Sequence, residues 1–120
     1  MGKYDRGLTA YHGGAAAEEI VARTYGAAGY AVLKRRWRGQ GGEIDLILGR
    51  NDVTIFVEVK KSVTFASAIT QLRPRQIARL CASAEDYMGS HAHVGAVECR
   101  FDVALVDGAG QVEIIENAFA

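Results

Sequence analysis

Two adjacent segments of the chain, residues 42–48 (GEIDLIL) and residues 53–60 (VTIFVEVK), alternate between apolar positions and positions that include charged residues. This alternation is typical of strands, because successive side chains of a strand point to opposite faces. The sequence therefore predicts a β-hairpin with one charged and one apolar face. The charged face holds Glu43, Asp45, Glu58 and Lys60, and the apolar face holds Ile44, Leu46, Leu48, Val53, Ile55, Val57 and Val59.

The register of this hairpin follows from the length of its connection. Residues 49–52 form a loop of four, an even number. An even-length loop keeps the charged side chains of both strands on one face, because the side-chain period of a strand is two residues. The expected pairs are Leu48 with Val53, Glu43 with Glu58, and Asp45 with Phe56.

Charged side chains crowded beside a buried sheet cost folding energy unless a ligand compensates them. Carboxylate and carbonyl oxygens are the ligands that Mg²⁺ and Mn²⁺ prefer. We therefore expect Asp45, Glu58 and the backbone carbonyl of Val59 to hold one of these ions. Glu43 has two open interpretations: a role at a second ion or a metal-bound water, and an ion pair with a basic neighbour.

Hydrolysis of a phosphodiester is the chemistry that such a site suits. It requires neutralised phosphate oxygens, a positioned water and a stabilised leaving alkoxide. Lys60 lies two residues after Glu58 and therefore points to the same face. We expect Lys60 to orient the attacking water or to lower its pKa, with charge stabilisation as a second interpretation.

Charges are unevenly spread along a chain whose net charge is zero. Residues 34–79 contain ten basic and four acidic residues, which gives this part a net charge of +6. A positive region around a small acidic cluster suits a polyanion such as a nucleic acid held next to a metal. The competing interpretation is that these charges decorate solvated edges. The candidate nucleic-acid-binding residues are Lys34, Arg35, Arg36, Arg38, Lys61, Arg73, Arg75 and Arg79.

The remaining patterns predict two helices and three further strands, in the order α-β-β-β-α-β-β. This order indicates one α/β domain in which helices flank a central mixed β-sheet. Residues 1–13 are expected to be a poorly ordered lead-in, and residues 14–120 a single domain. The expected elements are helices at 15–28 and 74–88 and strands at 30–38, 100–105 and 112–115, with a flexible connection at 62–73.

No stretch is apolar over the length that a membrane span needs, and the first residues lack the apolar core of a secretory signal. We therefore expect a cytoplasmic protein with no membrane partner.

Asp45 together with Glu58-X-Lys60 matches the signature of the PD-(D/E)XK nuclease superfamily. More closely, the chain resembles the YraN-like family of small bacterial proteins, whose members are regarded as endonuclease-like. The resemblance covers nearly the whole chain. Its blocks are GEIDLI at 42–47, FVEVK at 56–60, RFDV at 100–103 and the terminal residues 118–119.

This resemblance implies a restriction-endonuclease-like core, similar to that of the Holliday-junction resolvases. It also implies that Glu18 completes the metal site, in the place of the N-terminal helix glutamate of resolvase-like members, with Glu19 as the alternative. Asp102, in the later strand, is expected to form a structural ion pair with an arginine rather than to bind metal.

The site and the resemblance together imply metal-dependent hydrolysis of DNA, rather than RNA, by an endonuclease, with branched or processed structures as candidate substrates. The alternative is a nuclease-like fold that binds nucleic acid or another protein without cutting. Symmetric cutting of two strands requires two active sites, which favours a homodimer.

Overall fold

A five-stranded sheet forms the centre of the computed structural model, which describes residues 16–91 and 98–119. The lead-in expected at residues 1–13 lies outside the described residues. The strands are β1 (Ala31–Gly39), β2 (Gly42–Arg50), β3 (Val53–Lys61), β4 (Glu98–Val106) and β5 (Val112–Ile115), and the helices are α1 (16–27), α2 (Phe65–Ile69) and α3 (Pro74–His91).

The strands lie in the order β1-β2-β3-β4-β5, so each strand neighbours the next one along the chain. The pairs β1–β2, β2–β3 and β4–β5 are antiparallel, whereas β3 and β4 are parallel. A parallel pair needs a long crossover, and α2 and α3 supply it. The predicted α/β class, a single domain with a central mixed sheet and flanking helices, is confirmed.

The β2–β3 hairpin is tighter than the sequence predicted. Arg50 pairs with Val53, so the turn consists of residues 51–52, and Leu48 lies opposite Ile55 rather than Val53. Asn51 adopts φ +55°, a conformation that asparagine tolerates and that permits a short turn. The expected pairs are therefore wrong by two residues. Because two is the period of a strand, β3 keeps the same side chains on each face.

Each face of the sheet carries its own apolar cluster. Helix α1 covers the face that includes Leu46, Leu48, Ile55 and Val57, and these four side chains are fully buried. Helix α3 covers the opposite face. The α3 cluster consists of Ile44, Ile47, Phe56, Leu80, Tyr87 and Phe101.

The predicted apolar face is wrong for Ile44. This residue packs in the α3 cluster and not with Leu46. The neighbouring strand β1 is irregular at the same level of the sheet. The pairing of β1 with β2 passes from Arg35↔Leu46 to Trp37↔Ile44, and Arg36 between them has φ +49°. The backbone is therefore irregular beside Asp45, where the simple alternation of β2 ends.

The connection expected to be flexible contains the short helix α2, which the predicted element order lacks. Thr64 caps this helix, since its hydroxyl accepts a hydrogen bond from the Ser67 N–H and the Ser67 hydroxyl accepts one from the Thr64 N–H. Helix α3 begins at Pro74 as predicted but continues past Gly89 to His91. No helix among the described residues is long and apolar enough to cross a membrane.

Helix α3 packs closely on the turn between β1 and β2. A Cβ atom at Gly41 would overlap the carbonyl oxygen of Arg79, so this turn requires glycine. The Ser83 hydroxyl donates a hydrogen bond to the carbonyl of Gly42 at 2.8 Å. These contacts fix the helix against the sheet beside the charged end of the β2–β3 hairpin.

Candidate functional site

Glu58 lies towards the end of β3, and its side chain is 7% exposed. Its Oε2 accepts a hydrogen bond from Gln76 Nε2 at 2.9 Å and lies 3.2 Å from Lys60 Nζ. Glu58 Oε1, by contrast, is the one buried side-chain nitrogen or oxygen atom without a hydrogen-bond partner among the residues that the structure describes. A buried polar atom of this kind costs free energy unless a ligand satisfies it.

The pKa of Glu58 is raised to about 8: burial is the main cause, the charge of and a hydrogen bond with the neighbouring Asp45 add to it, and Lys60 opposes the shift. Both raising effects disfavour the charged carboxylate. Near neutral pH this carboxyl therefore retains a proton unless a cation replaces it.

We expect the Glu58→Gln variant to lose much of the pH dependence of stability that the parent protein shows. The folded-state pKa exceeds the unfolded value, so the stabilisation is complete below pH 4.5 and is lost as the pH rises towards 8. Between pH 6 and pH 8 the parent should lose about 2 kcal/mol from this group. Urea unfolding in EDTA measures the difference.

The matched control for this change is Glu19→Gln, since Glu19 is half-exposed and pairs with Arg35 at 3.2 Å. The free energy of unfolding of this variant should change with pH as that of the parent protein does, because Glu58 is unchanged. Equal slopes for the parent and Glu58→Gln would contradict the assigned shift.

Asp45 joins the two strands through its side chain. Its Oδ2 accepts a hydrogen bond from the backbone N–H of Val59 at 2.8 Å. Asp45 is also close enough to Glu58 to raise the pKa of that group. The two carboxyl groups predicted to share a cation therefore lie next to each other, and the chain passes Val59 beside them.

Glu18, from α1, approaches the same site, whereas Glu19 does not. Burial and Asp45 raise the pKa of Glu18, and Arg36 opposes the shift through an ion pair at 3.1 Å. Glu19 is instead paired with Arg35. Of the two glutamates that the resemblance left open, the structure places Glu18 beside Asp45.

Glu43 lies beside a basic residue of the neighbouring strand β1. Its side chain is 40% exposed and lies 4.0 Å from Arg38. Of the two interpretations left open for Glu43, this geometry matches the ion pair with a basic neighbour.

The fit of these residues to a divalent cation is partial. In the described part of the chain, no three His, Cys, Asp or Glu side chains form a ready-made metal cage. The available carboxyl groups are those of Asp45 and Glu58, which adjoin, and that of Glu18 beside Asp45. Of their oxygens, Glu58 Oε1 is buried and unpartnered. Such a set suits an ion that keeps several waters, as Mg²⁺ does, better than one enclosed entirely by protein ligands.

The candidate nucleic-acid-binding residues fall into two groups. On β1, Arg35 and Arg36 pair with the α1 glutamates, and Lys34 and Arg38 are exposed. The second group lies at the start of α3 and the end of β3. Arg73, Arg75 and Arg79 are exposed and have no ion pair among the described residues, and Lys61 is half-buried.

Trp37, within the β1 basic stretch, packs into the α3 cluster, where its ring meets Tyr87 edge to face at 5.3 Å.

Asp102 is fully buried and bound by Arg100 at 3.0 Å. The prediction of a structural ion pair with an arginine is therefore confirmed for Asp102.

Sequence reasoning missed the contact of Gln76 with Glu58. Its residue type carries no recognisable spacing to Glu58, from which it is separated by 18 positions. The topology offered a signal, because the helix of a crossover begins near the carboxyl end of the strand that precedes it. The first turn of α3 is therefore expected to supply a partner for Glu58.

Comparison with known proteins identifies the family to which the chain belongs. The model of the uncharacterised protein family UPF0102 matches residues 17–106. The chain belongs to the UPF0102 family. Among its relatives, UPF0102 proteins of Cereibacter sphaeroides (strain KD131), Ruegeria pomeroyi and Roseobacter denitrificans are 49%, 48% and 46% identical over 114 residues. The alignments cover 95% of this chain and 97%, 93% and 88% of these relatives, respectively.

The UPF0102 match confirms the YraN-like resemblance that the hairpin motifs indicated. The matched span extends from the first helix to the end of β4. It therefore includes every residue assembled around Glu58, namely Glu18, Asp45, Val59, Lys60 and Gln76.

Proposed function

We propose that this UPF0102 protein is a nuclease that hydrolyses DNA phosphodiesters with Mg²⁺ or Mn²⁺. One observation carries the proposal: Glu58, which has one buried oxygen without a partner, adjoins Asp45, and Lys60 lies 3.2 Å from the other oxygen of Glu58. Two adjoining carboxyl groups, one of them buried, are costly to fold, and a cation between the two groups removes that cost. The PD-(D/E)XK signature at these positions supports the same interpretation.

In this proposal, Asp45, Glu58 and the Val59 carbonyl hold the cation, and Glu18, which lies beside Asp45, completes the site from α1. When bound, the ion neutralises the phosphate and lowers the pKa of a water molecule. Lys60 donates a hydrogen bond to the attacking water or to a phosphate oxygen. The ion pair with Glu58 holds the ammonium group of Lys60 in place for this role.

DNA is the proposed substrate because of the basic residues beside this site. Arg73, Arg75 and Arg79 are exposed around the first turns of α3, whose Gln76 touches Glu58. Contacts from arginines to phosphates position a duplex without reading its sequence. The proposed activity is therefore endonucleolytic and sequence-independent, on linear or branched DNA.

The test is cleavage of linear, flapped, nicked and four-way DNAs in the presence of Mg²⁺ or Mn²⁺. We expect metal-dependent products from at least one substrate and their loss in Asp45→Asn. The matched control is Asp52→Asn, which makes the same change at an exposed turn of the same hairpin. No cleavage of any substrate, or equal cleavage by Asp45→Asn and the parent, would overturn the proposal.

A second candidate function is a nucleic-acid-binding module that does not cut. The absence of a three-residue metal cage among the described residues favours it, together with the α3 arginines. This candidate predicts DNA binding that weakens with salt, persists in Glu58→Gln and yields no products.

A further inference from the structure

We infer that Gln76 is a positioning residue that orients the Glu58 carboxylate so that its Oε1 faces the cation. This inference rests on the proposed function, because it takes the cation site at Asp45 and Glu58 as given.

Gln76 and Lys60 both contact the same oxygen of Glu58. Gln76 Nε2 donates to Oε2 at 2.9 Å, and Lys60 Nζ lies 3.2 Å from that oxygen. Oε1 receives no hydrogen bond and is buried. A carboxylate has two oxygens that can each accept, so donors on one side leave the other oxygen for a ligand. The fold therefore holds Glu58 through Oε2, and Oε1 is left for an ion.

Gln76 and Lys60 make different contributions to this arrangement. Lys60 stands on the same strand as Glu58 and moves with it, whereas Gln76 comes from α3 and links the carboxylate to a second element. The Gln76 amide is also neutral. It fixes the plane of the carboxylate without the repulsion that a second cationic side chain would exert on a divalent ion.

The start of α3 is well placed to hold Gln76 still. Pro74 opens the helix, and the N–H of Ile77 bonds to the carbonyl of Arg73 at 3.0 Å. Gln76 itself is partly buried, so its amide is not free to sample many directions. A side chain locked in this way can preorganise a metal ligand before the ion arrives.

The test measures Mn²⁺ affinity directly, by the electron paramagnetic resonance signal of free Mn²⁺ during titration. Gln76→Met keeps a similar volume but removes the amide donor. We expect Mn²⁺ to bind about 10-fold more weakly or worse, since loss of a group that orients a metal ligand typically costs 10- to 100-fold in affinity.

The matched control is Gln71→Met. Gln71 Nε2 donates to the Lys61 carbonyl at 2.8 Å, so this variant also loses one amide hydrogen bond, but not one to Glu58. Its Mn²⁺ affinity should stay within about twofold of the parent, well inside the range expected for Gln76→Met. Thermal unfolding in EDTA, followed by circular dichroism, identifies any variant whose change is a loss of folding. If Gln76→Met does not fold, Gln76→Asn carries the same expectation, because its amide is one methylene too short to reach Glu58.

Two results would overturn the role of Gln76 alone: parent-like Mn²⁺ affinity in Gln76→Met, or an equal loss in Gln71→Met. A parent protein that binds no Mn²⁺ would instead overturn the cation site of the proposed function, and this inference with it. Failure of the inference and failure of the proposed function are therefore distinguishable.

Discussion

Replacing Lys60 with methionine is expected to lower the rate of DNA cleavage about 1,000-fold. The ammonium group lies 3.2 Å from Glu58 Oε2, and its side chain is only 14% exposed. In the proposed mechanism this group orients the attacking water or the phosphate, and methionine has no donor for either. The measurement is the single-turnover rate at saturating DNA with Mn²⁺ present.

The fold should survive this substitution. Lys60 lowers the pKa of Glu58, so its loss raises that pKa further and leaves Glu58 protonated instead of charged and unpaired. The comparison variant is Lys61→Met, at the next position. It should raise the KM for DNA, because Lys61 is a candidate phosphate contact, and leave kcat nearly unchanged. Cleavage by Lys60→Met within tenfold of the parent would exclude Lys60 from the chemistry.

The largest expected loss of stability follows from Asp102→Asn, at about 3–5 kcal/mol. The Asp102 carboxylate is fully buried, and both oxygens are bound by Arg100, at 3.0 and 3.2 Å. Tyr25 donates to Oδ2 at 2.6 Å, and the backbone N–H of Asn117 donates to Oδ1 at 3.0 Å. An asparagine amide would present a donor to groups that are themselves donors. Urea unfolding gives the change in free energy.

Asp107 provides the matched control for Asp102. Its Oδ1 accepts hydrogen bonds from the N–H groups of Ala109 and Gln111, at 3.0 and 2.8 Å, in the exposed turn before β5. Asp107→Asn should cost about 1 kcal/mol, because water replaces what the carboxylate loses. A loss below that value in Asp102→Asn would mean that the buried network contributes little.

The alternation of residues predicted the hairpin correctly. The predicted register of the hairpin was wrong, but the error did not move Glu58 and Lys60 to different faces. The turn proved to be two residues long instead of four, but the shift was an even number, so Glu58 and Lys60 kept a common face. The sequence could not predict that Ile44 leaves the α1 face. The change coincides with Arg36 at φ +49° in the neighbouring strand, a conformation that is uncommon for arginine and cannot be predicted from the residue type.

Helix α2 and the role of Gln76 were also not predicted from the sequence. Helix α2 is five residues long and capped by Thr64 with Ser67, where the usual partner is glutamate or glutamine, so its signal is weak. Gln76 acquires its partner only when α3 packs on the sheet. Residue types and strand period thus predicted the carboxyl pair, whereas the groups that orient it required the packing of the helices.

The irregular geometry of β1 limits how this protein can assemble. This strand forms one edge of the sheet, with a shift in its pairing between Val32 and Lys34 and a left-handed residue at Arg36. A straight edge would offer its free backbone groups as a template for a strand from another molecule. Here the bent backbone and the like charges of exposed Lys34 and Arg38 oppose such β-augmentation. A dimer that placed two active sites on one duplex would therefore have to use a surface other than this edge.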